Sequence, residues 1–351
     1  MGEVQMGRRG HEFRRRLVTL AGGAAVAAVL AGGASAGVLE DVQKAGELKC
    51  GVSDQLAGFS FLDDKGAWTG FDVDYCHAFA AAITGKADAV KIVPIAFNQS
   101  FTALQSGEVD VLSRSVTYTL SRDTQLKVDF IPPNFYTGQS FMVHAELGVK
   151  SVKDLDGASV CVLAGSVTER YVADYFRANN MKFTPIAVEQ ESQIPSVYES
   201  GRCDVMTHET PSLAIARRGF KNPDAHVILP EVIAKSYEAP LYREGDARWG
   251  DVIRWTHFAL VTAEELGITR DNVEERLKSD DPVVRTFLGV DGDLGEKMGL
   301  ANDWVVTVIK AVGNYGEIYN RHLGDGSVLK IPRGMNDLYE RGGLLFAPSW
   351  R

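Results

Sequence analysis

Short apolar runs alternate with longer amphipathic segments along most of the chain. Runs of Val, Ile and Leu bounded by polar residues predict buried strands, and apolar residues at helical spacing predict helices between them. The first series comprises the strands Glu47–Val52, Val90–Pro94 and Val109–Leu112 and the helices Asp72–Ile83 and Ser100–Ser106. Strands that alternate with helices in this way predict parallel βαβ units in an open α/β sheet.

A second series of the same kind follows. Its strands are Ser159–Leu163, Phe183–Val188, Cys203–Met206 and His226–Leu229, and its helices are Thr168–Asn179, Gln193–Ser200 and Pro211–Arg218. Two extended segments, Tyr136–Val143 and Tyr237–Tyr242, stand where the chain would cross between the two series. The remainder is helical, with predicted helices Thr256–Leu266, Asn272–Leu277, Pro282–Leu288 and Asn302–Glu317.

One short pattern occurs in both series. Ser106–Val111 and Ser200–Val205 share the form S-G-x-x-D-V, and each stands between a predicted helix and a predicted strand. Helix-Gly-strand junctions are common, but two matched ones favour two related lobes joined by two crossings. The fold class that we expect is therefore a two-lobed α/β protein with a helical C-terminal extension.

The N-terminus has the order of a secretory signal peptide. Five arginines precede the apolar run Leu17–Leu30, and small residues follow at Ala34–Ala36. The run is short and rich in glycine for a membrane span, although a retained anchor is the alternative. We therefore expect cleavage after residue 36 and an exported mature protein, with the export route left open.

Charge narrows the classes of partner. The whole chain carries a net charge of −9, and the first 36 residues hold five arginines and two glutamates, so the mature part carries about −12. An acidic protein is a poor candidate for binding nucleic acid or an anionic membrane. No cysteine or histidine spacing indicates a metal site, and no motif indicates a cofactor.

The four cysteines all lie in the mature part, and an even number in an exported protein suggests disulfides. We favour the pairing Cys50–Cys76 and Cys161–Cys203, because it closes the shortest loops and keeps each bridge inside one series. Buried free thiols are the alternative.

Ser113–Thr124 (SRSVTYTLSRDT) gathers hydroxyls and two arginines directly after a predicted strand. Such a segment is either a solvated turn or the wall of an anion pocket. The second interpretation gains weight because ligands of open α/β sheets bind at the carboxyl ends of strands. Arg122 could hold a carboxylate with its planar fork, and hydroxyls and carbonyls at Ser115 and Thr117 could accept bonds from an ammonium.

Several motifs resemble the periplasmic amino-acid-binding proteins of polar amino acid ABC importers (solute-binding protein family 3), and within them the general L-amino-acid-binding subfamily. The resemblance covers nearly all of the mature chain, including the C-terminal extension. The motifs are LQSGEVDVLSR (Leu104–Arg114), YTLSRD (Tyr118–Asp123), DGASVCV (Asp156–Val162), ADYFRANN (Ala173–Asn180), YESGRCDV (Tyr198–Val205), VGNYGEIY (Val312–Tyr319) and GGLLFAP (Gly342–Pro348).

The resemblance implies a type II periplasmic binding protein that closes two lobes on one amino acid and delivers it to an ABC permease. It implies a signal peptide over residues 1–36, a first lobe over 37–138 and 241–351, and a second lobe over 139–240. We expect a monomer in the periplasm that binds a small-molecule amino acid, with neither cofactor nor catalytic residues.

By position in the family pattern, Arg122 takes the ligand carboxylate, and Thr117 with the backbone around Ser115 takes the ammonium. In the second lobe, Ser166 and Val167 open a helix whose N–H groups form an anion site for the same carboxylate. The family usually has a second hydroxyl where this chain has Val167, so we expect that residue to contribute backbone only.

Two further positions depart from the family. Glu209 stands where an aspartate usually binds the ammonium, and Phe97 lies in a segment where basic residues are common. Phe97 and Leu56 are candidates for the wall around the ligand side chain, and core packing is the alternative for Leu56.

Two other functions remain open. The same scaffold can carry dehydratase-like chemistry, with Glu209 and the adjacent His208 as acid and base. An exported ligand sensor that docks on a membrane receptor is the other possibility. The lack of a nucleophile, metal set or phosphate loop argues against the enzyme.

Overall fold

The computed structural model describes residues 37–350 of the 351-residue chain. The predicted signal peptide lies outside the described residues. The described part belongs to one compact unit, and none of its helices combines the length and apolar character that a membrane crossing needs.

The strands form two main sheets and a small hairpin. Their bounds are β1 Leu48–Ser53, β2 Phe61–Leu62, β3 Trp68–Thr69, β4 Val90–Ile95, β5 Val111–Leu112, β6 Val128–Phe130, β7 Phe135–His144, β8 Ser159–Leu163, β9 Thr184–Val188, β10 Val205–Glu209, β11 His226–Ile228, β12 Ala234–Glu238 and β13 Leu241–Arg243. The first sheet has the order β4-β1-β5-β13-β6, and the second has the order β11-β7-β10-β8-β9, with β12 added beside β7.

The helices pack on these sheets and continue into the C-terminal part. Their bounds are α1 Val38–Ala45, α2 Phe71–Thr84, α3 Ser100–Ser106, α4 Leu120–Gln125, α5 Val167–Ala178, α6 Ile194–Glu199, α7 Thr210–Gly219, α8 Ala247–Glu265, α9 Val273–Arg276, α10 Pro282–Phe287, α11 Leu294–Met298, α12 Trp304–Val312 and α13 Tyr315–His322. We call each sheet with its packed helices a lobe, numbered first and second like the sheets.

The interior strands β1 and β8 pair in parallel with both of their neighbours. In the first sheet β1 pairs in parallel with β4 and β5, and in the second β8 pairs in parallel with β9 and β10. The crossing strands β7 and β13 run antiparallel to their neighbours. The expected two-lobed α/β fold is confirmed.

The second crossing is shorter than predicted. The segment Tyr237–Tyr242 is not one strand, because β12 ends at Glu238 in the second sheet and β13 begins at Leu241 in the first. Ala239 and Pro240 make the crossing, and both are tied to the first lobe by backbone bonds to Val116 and Ile131.

The hydrophobic cores of the two lobes differ in size. One continuous cluster fills the first lobe and includes α8, α12 and α13 of the C-terminal part. The second sheet separates two smaller clusters, with Phe141 and Val143 of β7 in one and Met142 in the other. This division follows from strand geometry, because successive side chains point to opposite faces.

Both favoured disulfides are present. Cys50 of β1 bonds Cys76 of α2, and Cys161 of β8 bonds Cys203 just before β10, with Cα separations of 5.8 and 5.7 Å. Each bridge lies inside one lobe, so neither restrains the lobes relative to one another.

The predicted helix Asn302–Glu317 is wrong as a single element. The chain breaks at Gly313, whose φ of 82° suits glycine, and a new helix starts at the N-cap Asn314. Asn314 and Glu317 form a capping box, in which each side chain accepts a bond from the other residue's backbone N–H. The sequence Gly-Asn-Tyr-Gly-Glu carries this signal, since Asn is a strong N-cap residue.

Candidate functional site

A cavity lies between the two lobes, and all eight residues proposed from the sequence line it. They are Leu56, Phe97, Ser115, Thr117, Arg122, Ser166, Val167 and Glu209. The volume of this cavity is about 40 Å³, so its two walls lie close together. Arg122 and Glu209 therefore lie on the walls of one cleft, rather than on outer faces.

Arg122 is held firmly by its surroundings. It lies in the short helix α4, whose N-cap Thr119 accepts a bond from the Arg122 backbone N–H. Its Nη1 donates to the Thr117 carbonyl at 2.6 Å, and its guanidinium lies 5.3 Å from the Phe97 ring centroid. Burial lowers the pKa of Arg122 to about 10, helped by the nearby Arg170 and Arg114. The side chain is still cationic at neutral pH and can bind a carboxylate.

The loop before α4 brings hydroxyls to the same wall. Ser115 adopts a left-handed backbone with φ of 55°, which is uncommon outside glycine, and its hydroxyl donates to Asp72 at 2.8 Å. The Thr117 hydroxyl lies 3.0 Å from that of Ser236. Burial raises the pKa of Asp72 to about 7, against the opposing effect of the Ser115 bond. Ser115 therefore presents its backbone to the cavity while its side chain binds Asp72.

The second lobe supplies a helix N-terminus. Ser166 is the N-cap of α5, and its side chain accepts from the Glu169 backbone and contacts the Thr168 hydroxyl at 2.6 Å. Val167 and Thr168, the first two helical residues, line the cavity. The first N–H groups of a helix have no intrahelical partner, so this end of α5 can bind an anion.

A chain of alternating charges crosses the cleft. In the second lobe, the His208 ring nitrogens lie 2.6 Å from a Glu209 carboxylate oxygen and 2.9 Å from a Glu191 oxygen. The other Glu191 oxygen lies 3.6 Å from Nη2 of Arg114 in the first lobe. Burial by itself would lower the pKa of His208, but the two glutamates hold it well above its usual value. From the sequence, we expect His208 to be a rim or structural residue beside Glu209, with an acid or base role only in the enzymatic alternative.

The pattern of the sequence missed three charged wall residues, namely Arg114, Glu191 and Glu238. Arg114 lies in the same loop as Ser115 and Thr117, so its position was the signal that could have identified it. Glu191 precedes α6 and Glu238 ends β12, and neither position distinguishes it from an ordinary surface residue. Arg114 and Glu238 are buried, and one atom of each, Nε and Oε2, forms no hydrogen bond within residues 37–350.

Phe97 lies against protein cations. Its ring centroid is 5.1 Å from the Arg114 guanidinium and 5.3 Å from that of Arg122, and it also packs against the core of the second lobe. It therefore positions both arginines, and stacking on a ligand stays a prediction. Leu56 is buried and lies where the cavity meets a larger one.

This larger cavity, which we call the outer cavity, opens beside the cavity that Arg122 and Glu209 line, which we call the inner cavity. The outer cavity has a volume of about 510 Å³ and shares four wall residues with the inner cavity, namely Leu56, Glu191, His208 and Ser212. Its other walls include the apolar side chains of Met206, Ile215 and Phe220. A molecule with one end in the inner cavity can therefore extend outward past His208.

Within the described range, no cluster of three or more His, Cys, Asp or Glu side chains has an arrangement that could hold a metal ion. The charged groups at the cleft instead pair with one another across short distances.

The chain resembles known proteins over nearly its full length. Residues 48–325 match the family model "Bacterial extracellular solute-binding proteins, family 3". The chain is 48% identical to the general L-amino acid-binding periplasmic protein AapJ of Rhizobium johnstonii, over 97% of this chain and all of that protein. It is 46% identical to the glutamate/glutamine/aspartate/asparagine-binding protein BztA of Rhodobacter capsulatus, over 94% and 98% of the two chains.

A solved structure agrees. A periplasmic binding protein of an ABC transporter from Brucella ovis, with glutathione bound, is 51% identical and superposes with a TM-score of 0.87. The match covers 90% of this chain and all of the other. Fold, cleft and sequence thus agree, and the chain belongs to the bacterial extracellular solute-binding proteins, family 3.

Proposed function

We propose that the mature protein captures an L-amino acid between its lobes in the periplasm and delivers it to an ABC permease. The observation that carries this proposal is the single cavity that combines the Arg122 guanidinium, the N-terminus of α5 and the Glu209 carboxylate. These groups complement the two ends of a zwitterion. AapJ and BztA, both amino-acid-binding proteins by name, support this assignment.

The carboxylate of the ligand contacts both lobes in this proposal. Arg122 provides two parallel N–H donors from the first lobe, and the N–H groups of Val167 and Thr168 provide donors and a positive dipole from the second. A ligand that bonds to both walls stabilises only the closed form, so binding and closure are coupled.

The ammonium lies on the opposite side, between Thr117, the backbone of Ser115 and Glu209. Glu209 is one methylene longer than the aspartate usual at this position, and its contact with His208 fixes the direction of the longer side chain. A carboxylate that is already ordered loses little conformational entropy when the ammonium arrives.

The lobe boundaries that follow from this function are 37–138 with 241–351 for the first lobe and 139–240 for the second. Sheet membership supports the boundary between 240 and 241, because β12 ends in the second sheet and β13 begins in the first, whereas β7 runs through the boundary between 138 and 139 within the second sheet. We propose that the protein acts as a monomer, since one chain carries both walls of the site.

A ligand screen tests the proposal. Thermal unfolding is measured with each of the twenty L-amino acids, and a ligand at a hundred times its Kd stabilises the protein by about 2.7 kcal/mol. Arg122→Ala should abolish the shift, while Arg177→Ala, a change on the exposed side of α5, should keep it. An unchanged shift in Arg122→Ala removes Arg122 from the site, and no shift with any amino acid contradicts the function.

An amino acid with an elongated side chain is a second candidate ligand, favoured by the outer cavity beside His208. The Brucella ovis relative with glutathione bound supports it, because glutathione has a free α-amino acid at one end. Ala216→Trp should fill part of the outer cavity and weaken glutathione binding more than L-glutamate binding. Equal effects on both would show that the ligand stays within the inner cavity.

The binding-protein relatives give no support to the enzymatic alternative. The contacts of Glu209 and His208 with one another and with Glu191 fit an ordered binding wall.

A further inference from the structure

Glu238 is the charged wall residue that the proposed contacts leave without a role. It is the last residue of β12, directly before the crossing at Ala239 and Pro240, and its backbone pairs with Thr117 of the first lobe in an isolated bridge. Only 6% of the residue is exposed. Its side chain lines the same inner cavity as Arg122, Thr117 and Glu209, and its Oε2 has no hydrogen-bond partner in the described part of the chain.

An unpartnered carboxyl oxygen in a buried site is costly, because it has lost its hydration without a replacement. Backbone pairing on both sides fixes β12 here, since the Glu238 carbonyl also accepts a bond from the Asn134 N–H. The side chain therefore cannot reach bulk water without breaking the crossing. A ligand with N–H donors at this wall would remove the cost.

The charged groups around Glu238 come from three places in the fold. Glu209 and His208 belong to β10 and Asp72 belongs to α2, whereas Arg114 lies in the loop after β5. The cations have other partners, because His208 lies between Glu191 and Glu209, and Arg114 faces Glu191 at 3.6 Å. Glu191 and Arg122 complete the charged part of the wall.

Glu238 and Glu209 thus form a pair of carboxyl groups on one small cavity. Burial, followed by repulsion from Glu209 and Asp72, raises the pKa of Glu238 well above its usual value, while His208 and the nearby Ser115 hydroxyl oppose the shift. Two carboxylates that share a site cannot both ionise readily, so one retains a proton. An ammonium placed between them reverses the balance, since it supplies both a positive charge and N–H donors.

We propose that Glu238 is a second carboxylate for the ammonium of the ligand, and that ligand binding expels a proton from Glu238 to solvent. This inference rests on the proposed amino-acid-binding function. The neutral Glu238 acid loses its proton to solvent, and the resulting carboxylate forms an ion pair with the ligand ammonium. Glu209 from the second lobe and Glu238 from the crossing then hold the ammonium from two sides.

The affinity for an amino acid consequently depends on pH in a defined direction. Below the pKa of Glu238 in the empty protein, each binding event releases one proton, so the association constant rises about tenfold per pH unit by linkage. Above that pKa the dependence disappears. Glu238→Gln removes the proton and leaves an amide of the same size, so its affinity should be independent of this titration.

Calorimetry tests the proposal on the mature chain. The binding enthalpy of an L-amino acid that gave a thermal shift is measured at several pH values between 5.5 and 8 in two buffers of different ionisation enthalpy, which gives the number of protons released at each pH. The natural protein should release about one proton, and Glu238→Gln none. Where Glu238 is ionised in the empty protein, Glu238→Gln should bind on the order of tenfold to hundredfold more weakly than the natural protein, the size of one charge-assisted bond, and this difference should shrink as the pH falls.

Asp72→Asn is the matched control, because Asp72 also titrates in this range but its carboxylate bonds to Ser115. This variant should still release the proton. The α-hydroxy acid that carries the same side chain as the amino acid ligand has no ammonium group, so it should bind weakly and release no proton.

The outcomes separate the two proposals. An amino acid that binds without proton release, and equally well to Glu238→Gln at every pH, overturns the role of Glu238 and leaves the proposed function standing. Binding of no amino acid at all overturns both. Proton release lost in Asp72→Asn but kept in Glu238→Gln would assign the proton to Asp72 and also contradicts the inference.

Discussion

The first lobe brings two arginines to the cavity, and the second lobe brings carboxylates with His208 between two of them. Arg114 lies in the loop after β5 and Arg122 lies in the short helix α4, and a large continuous core supports both. Glu191 and Glu209 instead lie at the ends of short elements over two smaller cores. The opposite charges attract across the cleft, as the Arg114–Glu191 contact shows. Because its core is larger and continuous, we expect the first lobe to be the more stable of the two and the second lobe to unfold first.

The disulfides offer the largest test of that difference. Loop entropy predicts that either bridge contributes about 3–4 kcal/mol, because the separations of 26 and 42 residues differ little on a logarithmic scale. Cys161→Ala with Cys203→Ala should nevertheless make the second lobe melt as a separate, earlier transition in calorimetry. Cys50→Ala with Cys76→Ala should lower the main transition instead. Indistinguishable traces from the two double variants would show that core size does not set the order of unfolding.

Two buried carboxyl groups respond to pH in opposite directions. The pKa of Asp72 in the first lobe is raised to about 7, mainly by burial. Burial would also raise the pKa of Glu191 in the second lobe, but His208 and Arg114 hold it below its usual value. From about pH 4 to 7 the folded protein keeps a proton on Asp72 that the unfolded chain has lost, so the Asp72 contribution to stability falls as pH rises.

The measurement is the free energy of unfolding by denaturant at pH 4, 5.5 and 7 for the natural protein and Asp72→Asn. The stability of the variant relative to the natural protein should rise by on the order of 1 kcal/mol per pH unit across this window. Glu191→Gln should run parallel to the natural protein from pH 5.5 to 7, because Glu191 is ionised in both the folded and the unfolded chain there. Its relative stability should rise only below about pH 4.5, where the stabilising ionisation of the natural protein is lost. Parallel curves for all three proteins would mean that Asp72 is ionised in the fold.

Sequence patterns predicted the elements of this fold better than its charged wall. The S-G-x-x-D-V match is an instructive success: the Asp110 side chain accepts a bond from the β1 backbone at Lys49, and Asp204 does the same for β8 at Ser159. The repeat is visible in the sequence because in each lobe the aspartate lies just before one strand and accepts a bond from the start of the neighbouring strand. The break at Gly313 was missed because apolar residues continue at helical spacing through it.

The missed residues Glu191 and Glu238 share a different cause. Neither has a distinctive local sequence: Glu191 is half-buried and contacts Arg114 of the first lobe, and Glu238 is buried and pairs with Thr117 of the first lobe. Burial of a charge depends on contacts between segments far apart in the chain, which periodicity does not encode. Arg122 was proposed from its loop at the end of a strand and from the family resemblance, whereas the position of Glu209 came from the resemblance alone.

The smallest expected effect concerns the helix N-terminus, which is the second lobe's counterpart to Arg122. Val167 is the first helical residue of α5, a position where proline fits because that N–H has no intrahelical partner. Ser166 before it has an extended backbone with φ of −77° and ψ of 164°, which is compatible with a following proline. Val167→Pro therefore removes one N–H from the site with little change to the helix.

If the backbone at Val167 binds the ligand carboxylate, Val167→Pro should weaken amino acid binding by about tenfold, the size of one hydrogen bond to a charged group. Val167→Ala keeps the N–H and should change the affinity by less than about threefold, since the side chain contributes only packing. Titration calorimetry at constant pH measures both. Equal losses in the two variants would assign the effect to the side chain, and the carboxylate would then depend on the arginine of the first lobe alone.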